Sequence, residues 1–339
     1  MLLPALLTAD LHLTAGLDAS YRWSFFDWLR KTCEGEQVKT LLILGDLTDH
    51  KDNHPAELVN RIVKELCSIQ VEHIYILRGN HDWLKDGRCF FEFLSELPHI
   101  KFITQDTELS MDDGPSALLL PHTRTPGKDW ANYGCIGEFH QYVFMHQTYK
   151  GARSSNGQAL DGDGIPDIFG SAKVYSGDIH VPQIIGPVEY VGSPYHVHFG
   201  DTFTGRCVLL DRRNRAVELF PELMQRHVID VDSVNMLYSV LDQRFEAGMK
   251  AKDQVKLRVH LTRAEAPEWQ RLRREMVGVL SGVDLGVVSV EMVPDAQAKL
   301  RWSASSQKHD LESTIVRYAE EQHLSPAMLE TALELMEKS

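Results

Sequence analysis

Five short clusters carry side chains able to do chemistry: Asp10-Leu11-His12, Gly45-Asp46-Leu47-Thr48-Asp49, Gly79-Asn80-His81-Asp82, His146, and Gly177-Asp178-Ile179-His180. A lone DxH recurs by chance in many proteins and by itself reads as a turn with a solvated carboxylate. Five such clusters, each closing a separate apolar run, point to a shared purpose. They hold carboxylates, imidazoles and one amide oxygen, a mixed O/N donor set suited to Mn²⁺, Fe or Zn²⁺ and without the thiolates of a structural zinc site. Asp10, His12, Asp46, Asn80, His146, Asp178 and His180 are seven potential ligands, too many for one ion. They suit two ions about 3.5–4 Å apart that share a bridging carboxylate, which clamps the attacking and leaving oxygens of a phosphoryl group.

Something must bring these clusters together. The runs Leu2 to Thr8, Thr40 to Leu44, His73 to Leu77, Gln141 to Met145, Lys173 to Tyr175, Val188 to Val191 and Cys207 to Leu210 are short, apolar and β-rich, and read as strands. Between the early ones, Ser24 to Lys31 and Ala56 to Cys67 space their apolar residues by three and four, as crossover helices do. Strand–helix–strand alternation predicts a layered α/β fold, and the later hairpin-like spacing predicts mixed sheets. Loops at the carboxyl ends of strands in such a fold converge on one crevice.

Near Pro221 the polar strand ends stop, and residues 223–300 form a smaller α+β unit. Val255, Leu257, Val259 and Leu261 alternate as a strand; Pro267 opens a helix carrying Trp269, Leu272, Met276 and Val279; Val288, Val290 and Met292 alternate again. This predicts a βαβ module. Residues 301–339 divide into a polar linker to His309 and two helices, one capped by Asp310 and striped by Leu311, Ile315 and Tyr318, the other opened by Ser325-Pro326 and striped by Leu329, Leu333 and Met336.

Composition limits the function classes. The 339 residues contain 35 Lys+Arg and 48 Asp+Glu, a net charge of −13, and are 43% hydrophobic. That excludes intrinsic disorder and argues against wrapping nucleic acid through bulk positive charge. Cys33, Cys67, Cys89, Cys135 and Cys207 are scattered with no CxxC pair, which fits a reduced cytoplasm. The opening MLLPALLTA lacks a charged n-region and reads as a buried strand, and no apolar run reaches membrane-spanning length. A cytoplasmic protein without membrane contact is expected.

The ordered set DxH, GDxxD, GNHD, a lone His after a strand, and GxxH resembles the calcineurin-like metallophosphoesterases over residues 1 to about 222. Tyr190-Val191-Gly192-Ser193-Pro194, the βαβ module and the terminal helix pair resemble more narrowly the SbcD-type DNA repair and recombination nucleases, with the length and terminal layout of the T-even-like phage nuclease subunits. The resemblance implies a metallophosphoesterase β-sandwich flanked by helices at 1–222, a DNA-capping domain at 223–300, and helices at 301–339 that dock a partner. It implies two Mn²⁺ ions, with Mg²⁺, Fe²⁺ or Zn²⁺ as substitutes. Asp10, His12 and His180 would bind one ion, Asp46 would bridge, and Asn80, His146 and Asp178 would bind the other. His81 would act on the scissile phosphate, with Asp49 and Asp82 orienting ligands behind it. The usual final motif is GHxH; here it is GDIH, so Asp178 puts a carboxylate in place of an imidazole. The implied partners are DNA, an SbcC-type coiled-coil ATPase and a second copy of the chain. Alternative readings are a stand-alone phosphodiesterase or phosphatase on a small nucleotide, and a catalytically weakened DNA-binding scaffold.

Other features read more plainly. Asp161-Gly162-Asp163-Gly164 starts like a calcium loop but has Ala172 where an EF-hand needs its Glu, so a surface turn is expected. His196 and His198 read as ordinary part-buried histidines beside the site, and His50 and His54 as loop residues. Arg271, Arg273 and Arg274 cluster on the module's helix and are candidate contacts to a DNA backbone.

Overall fold

The architecture is that of a computed structural model, which describes residues 1–294 apart from 85–86, 112–113, 131–132 and 263. The C-terminal helices and linker expected beyond residue 300 lie outside the described residues. In chain order the elements are β1 (Ala5–Thr8), α1 (Ser24–Gly35), β2 (Thr40–Ile43), α2 (Ala56–Cys67), β3 (His73–Leu77), β4 (Ile100–Ile103), β5 (Thr107–Met111), β6 (Gly114–Leu120), α3 (Pro126–Asp129) and β7 (His140–His146). They continue with β8 (Lys173–Gly177), β9 (Gln183–Ile185), β10 (Val188–Tyr190), β11 (Cys207–Leu210), β12 (Ala216–Leu219), β13 (Arg226–Val231), α4 (Val234–Glu246), β14 (Gln254–Leu261), α5 (Trp269–Gly282) and β15 (Gly286–Pro294).

Two six-stranded mixed sheets form the body, in the orders β12-β11-β1-β2-β3-β4 and β5-β6-β7-β8-β10-β9. In the first, β1 to β4 run parallel and β11 pairs antiparallel with β1. In the second, β6, β7, β8 and β10 are parallel, with antiparallel edges at β5 and β9. Parallel strands buried on both faces read as continuous apolar runs, because successive side chains feed different layers. Thus Leu6, Leu41, Ile43 and Ile74 pack with Phe25, Phe26, Leu29, Leu58 and Ile62 of α1 and α2. Their neighbours Leu7, Leu42, Leu44 and Leu77 face Leu119, Tyr142, Phe144 and Tyr175 of the second sheet. The other face of that sheet, through Leu118, Val143, Met145 and Val174, packs with Trp130, Ile136 and Phe169. The expected mixed-sheet α/β sandwich with flanking helices is what the chain forms.

The expected βαβ module is preceded by β13 and α4, and the three strands form a sheet in the order β13-β14-β15. Periodicity alone does not reveal β13, because its alternation is filled with paired polar residues. His227 lies 3.0 Å from Asp253, and Asp230 lies 2.6 Å from Arg258 and 2.7 Å from His260. The described residues divide into two compact units: Met1–Ile229 with Gln243–Lys256 and Leu280–Ser289, and Asp230–Asp242 with Leu257–Val279 and Val290–Pro294. The first unit holds both six-stranded sheets and every clustered site residue. No described helix is long and apolar enough to cross a membrane.

Candidate metal centre

Every predicted ligand sits just past, or at, the carboxyl end of a parallel strand. Asp10 and His12 follow β1, Asp46 and Asp49 follow β2, Asn80, His81 and Asp82 follow β3, His146 closes β7, and Asp178 and His180 follow β8. Backbone bonds extend the pairing of β1 and β2 into the loops, with His12 N donating to the Asp46 carbonyl at 2.9 Å and Leu13 N to that of Leu47 at 3.0 Å. The loops are bent hard. Asp10, His12, Asp46 and Asp178 all have positive φ, at 54°, 43°, 52° and 82°. Non-glycine residues rarely adopt that region, and such strain persists where the surroundings enforce it, commonly at functional sites.

The glycines of the motifs are steric requirements. A Cβ on Gly45 would lie 2.1 Å from His146 Nδ1, one on Gly79 would lie 2.2 Å from Asp46 Oδ1, and one on Gly177 would lie 2.1 Å from the Leu44 carbonyl oxygen.

Three overlapping groups of donors result. Asp10, His12 and His180 form one, Asp10, Asp46 and His146 a second, and His12, Asp49 and His81 a third, with donor atoms within 4.8 Å of one another in each. Asp46 faces two ways: Oδ2 lies 3.5 Å from His12 Nε2 and Oδ1 lies 3.4 Å from His146 Nε2. Asp178 Oδ1 lies 3.5 Å from His146 Nε2 and accepts a hydrogen bond from Asn80 Nδ2 at 2.7 Å. Its other oxygen accepts from the Thr148 hydroxyl.

The donor set fits cations, and the orphaned atoms say where. His146 Nδ1–H donates to the Leu44 carbonyl at 2.6 Å, which leaves Nε2 buried and without a hydrogen-bond partner. Asp10 Oδ1 accepts from Asp178 N at 3.0 Å while Oδ2 has no partner, and Asn80 Oδ1 is likewise buried and unbonded. Buried polar atoms are rarely left this way unless an unshown ligand satisfies them. Burial drives the Asp10 carboxyl well above its usual range, with Asp46 and Asp178 adding to the rise, although His146 opposes it. Burial opposes a charge on His146, yet the Asp46, Asp178 and Asp10 carboxylates hold that imidazole well above its ordinary value. His180 is pushed down to about 3 by burial and by His12 and His198. Such a basin of crowded carboxylates and neutral imidazole is what a divalent ion neutralises.

The residues expected behind the ligands do touch them. Asp82 accepts from Gly79 N at 2.6 Å and Asp46 N at 3.1 Å, tying two loops, and burial with the Asp46 charge raises it to about 7. Asp49 lies 3.4 Å from His12 Nδ1, and the His12 imidazole beside it holds its carboxyl well below the usual range despite partial burial. His81 N donates to Asp46 Oδ1 at 2.9 Å and its Nδ1–H to the Asp49 carbonyl at 2.6 Å.

The structure also gives tasks to residues to which sequence reasoning had assigned none. Ser193 donates from Oγ to the Asp10 carbonyl at 3.1 Å and from its N–H to the His180 carbonyl at 2.9 Å, which gives the Gly192-Ser193 turn a physical task. Buried Arg22 caps the carbonyls of His12 and Val197. Thr148 and His122 are two more; burial and His146 push His122 down to about 4. Ser193 lies in the Tyr190–Pro194 run, His122 and Thr148 follow the strand ends of β6 and β7, and no short motif marks Arg22. His196 is a satisfied core histidine, 2.8 Å from the Phe203 carbonyl, whereas the His198 ring is 5.4 Å from that of His180. His54 stacks on Phe90 at 4.5 Å, and the Asp161–Gly164 loop is exposed. Arg271, Arg273 and Arg274 are exposed on α5, with Arg271 held by Glu268 at 2.8 Å and Glu275 at 3.2 Å.

A family model described as calcineurin-like phosphoesterase matches residues 3–162. The chain carries a calcineurin-like phosphoesterase domain. The matched span includes Asp10, His12, Asp46, Asn80, His81 and His146, while Asp178 and His180 lie beyond it, just past the end of β8. Among curated proteins the chain is similar to the SbcD component of the nuclease SbcCD from Escherichia coli strain K12 and from Escherichia coli O157:H7. Each is 26% identical over 253 residues, covering 60% of this chain and 63% of the relative. The chain thus spans a little under two thirds of the length of the relatives it matches. The domain indicates a metal-dependent phosphoester hydrolase.

Proposed function

We propose that this chain is a two-metal DNA nuclease, exo- or endonucleolytic, acting as the nuclease subunit of an SbcCD-type repair or recombination complex. The observation that carries the reading is Asp46, whose two oxygens lie 3.5 Å from His12 and 3.4 Å from His146, the disposition of a bridging carboxylate. Asp10, His12 and His180 would hold one ion, and Asn80, His146 and Asp178 the other. Mn²⁺ suits the oxygen-rich set best. When bound, such ions neutralise the phosphoryl group and lower the pKa of a nearby water.

The protein's own part is orientation. His81 is held through Nδ1–H to the Asp49 carbonyl, which leaves Nε2 as the nitrogen that would touch the phosphoryl or leaving oxygen. Asp82 clamps the Asp46 and Gly79 loops together so that the bridge cannot drift. The exposed arginines of α5 would contact the DNA backbone from a capping domain, and the helices after residue 310 would dock a coiled-coil ATPase, with a second copy of the chain completing the complex.

The test compares cleavage of single- and double-stranded DNA with cleavage of bis(p-nitrophenyl) phosphate and cyclic nucleotides, with and without Mn²⁺. Mn²⁺-dependent DNA cleavage supports the reading. Turnover of the small diesters without DNA cleavage would favour a stand-alone phosphodiesterase, and DNA binding without cleavage a scaffold.

A further inference from the structure

One imidazole in the basin has no task among the ligands. His122 follows β6 and is pinned in both directions to Arg78, its N–H donating to the Arg78 carbonyl at 2.8 Å and its carbonyl accepting from Arg78 Nη2 at 2.7 Å. Arg78 immediately precedes the Gly79-Asn80-His81 loop, so the placement of His122 is coupled to that of the ligands. The His122 ring lies 6.1 Å from the His146 ring at 82°, as the His81 ring lies 4.9 Å from that of His12. An imidazole thus stands beside each half of the donor set.

The tautomer of His122 is decided by a neighbour. Trp83 Nε1 and His122 Nδ1 are 3.1 Å apart, and an indole N–H can only donate. Nδ1 is therefore the acceptor, and the ring proton resides on Nε2, which meets no hydrogen-bond partner among the described residues. Trp83 is itself fixed, with the Arg78 guanidinium 3.9 Å from its ring centre and that of Arg124 5.5 Å away. The stack Arg78, Trp83, His122 presents one oriented N–H at the edge of the basin.

We propose that His122 is a further catalytic residue, its Nε2–H donating a hydrogen bond to a non-bridging oxygen of the phosphoryl group, with Trp83 and Arg78 as positioning residues that keep the proton on Nε2. This rests on the phosphodiester reading of the same centre. A neutral donor fixed in advance stabilises developing charge on the phosphoryl oxygens without adding a third cation beside two metal ions, and no proton changes hands.

The experiment uses the full chain and four readouts. Long-range ¹H–¹⁵N NMR of the metal-free protein, with His122→Gln identifying the resonance, should show the Nε2–H tautomer, and Trp83→Phe should convert it to a mixture. In the Mn²⁺-loaded protein His122→Ala should lower kcat on bis(p-nitrophenyl) phosphate by about 10²–10³-fold, the usual cost of one oxyanion donor, with KM and bound manganese little changed. His122→Gln, whose amide N–H reaches the same place, should recover at least about tenfold of that loss. Inorganic phosphate should bind the His122→Ala protein about tenfold more weakly by calorimetry. An Nδ1–H tautomer in the wild-type protein, unchanged kcat in His122→Ala, or loss of its manganese would each overturn the assignment. If the wild-type protein cleaves no diester yet binds phosphate in a His122-dependent way, the nuclease reading fails and the donor assignment stands. If it does neither, both fail.

Discussion

The Nε2 atoms of His12 and His180 face each other at 3.0 Å. Two imidazole nitrogens at that distance need a proton or a cation between them, since two lone pairs would repel. Burial, with His12 and His198 close by, pushes His180 down to about 3, so its nitrogen offers a lone pair that suits a divalent ion. Binding to the native state alone at a hundredfold excess over Kd contributes about 2.7 kcal/mol. The apparent Tm should therefore rise by about 4 °C when Mn²⁺ is added to chelated protein. Identical melting curves with and without Mn²⁺ would count against a metal centre.

Asp46 and His81 should separate binding from chemistry. Asp46→Ala removes the carboxylate that lies 3.5 Å from His12 and 3.4 Å from His146, so manganese content and turnover should both fall to background. His81→Ala should cut turnover by about 10²–10⁴-fold while the protein keeps its manganese. Loss of metal from the His81 variant would place that imidazole among the ligands.

Asp178 should set metal preference. Histidine there restores an imidazole nitrogen but accepts at most one of the two hydrogen bonds that Asn80 and Thr148 now donate. Asp178→His is expected to shift the rate optimum from Mn²⁺ and Mg²⁺ towards Zn²⁺ and Fe²⁺, because imidazole suits those ions. Rate titrations with each metal, beside metal counts, check this; an unaltered order of preference would remove Asp178 from the coordination sphere.

Gly177→Ala should break the centre through packing. Its Cβ would sit 2.1 Å from the Leu44 carbonyl oxygen and 2.8 Å from His146 Nδ1, the two ends of the hydrogen bond that aims His146. A cost of about 1–3 kcal/mol and weakened manganese binding are expected. Gly278→Ala is the control, since nothing lies within 4 Å of its Cβ in the interior of α5. That change should stabilise by about 0.5–1 kcal/mol. Urea melts of both variants decide between them.

Asp253 tests the fold away from the candidate metal centre. Burial pushes its carboxyl up, but His227 at 3.0 Å and the N–H groups of Lys250 and Gln225 outweigh that and hold it below its ordinary value. A depressed carboxyl contributes stability above the unfolded value of about 3.9 and loses it as pH falls through the lower folded value. Asp253→Ala should cost about 3 kcal/mol at neutral pH by stranding His227 and two backbone donors. The gap between variant and parent should close below about pH 3.9 in acid denaturation curves.

Much of the molecule was legible in one dimension. The apolar runs at His73–Leu77 and Cys207–Leu210 and the helix at Ala56–Cys67 have the bounds that pattern alone suggests. Seven ligand candidates could be named because strand ends in an α/β sheet share a crevice. Local chemistry determined these things, since a residue's type and spacing depend on nothing else. Tertiary structure decided the rest. That Asp46 faces both His12 and His146, that four of the candidate ligands take positive φ, and that Gly177 must lack a Cβ beside Leu44 are settled by the packing of strand ends distant in sequence. The tautomer of His122 depends on Trp83, and the hydroxyl on Asp178 comes from Thr148, 39 and 30 positions away. Hydrogen bonds of that kind have no periodicity, so only the folded chain brings donor and acceptor within reach.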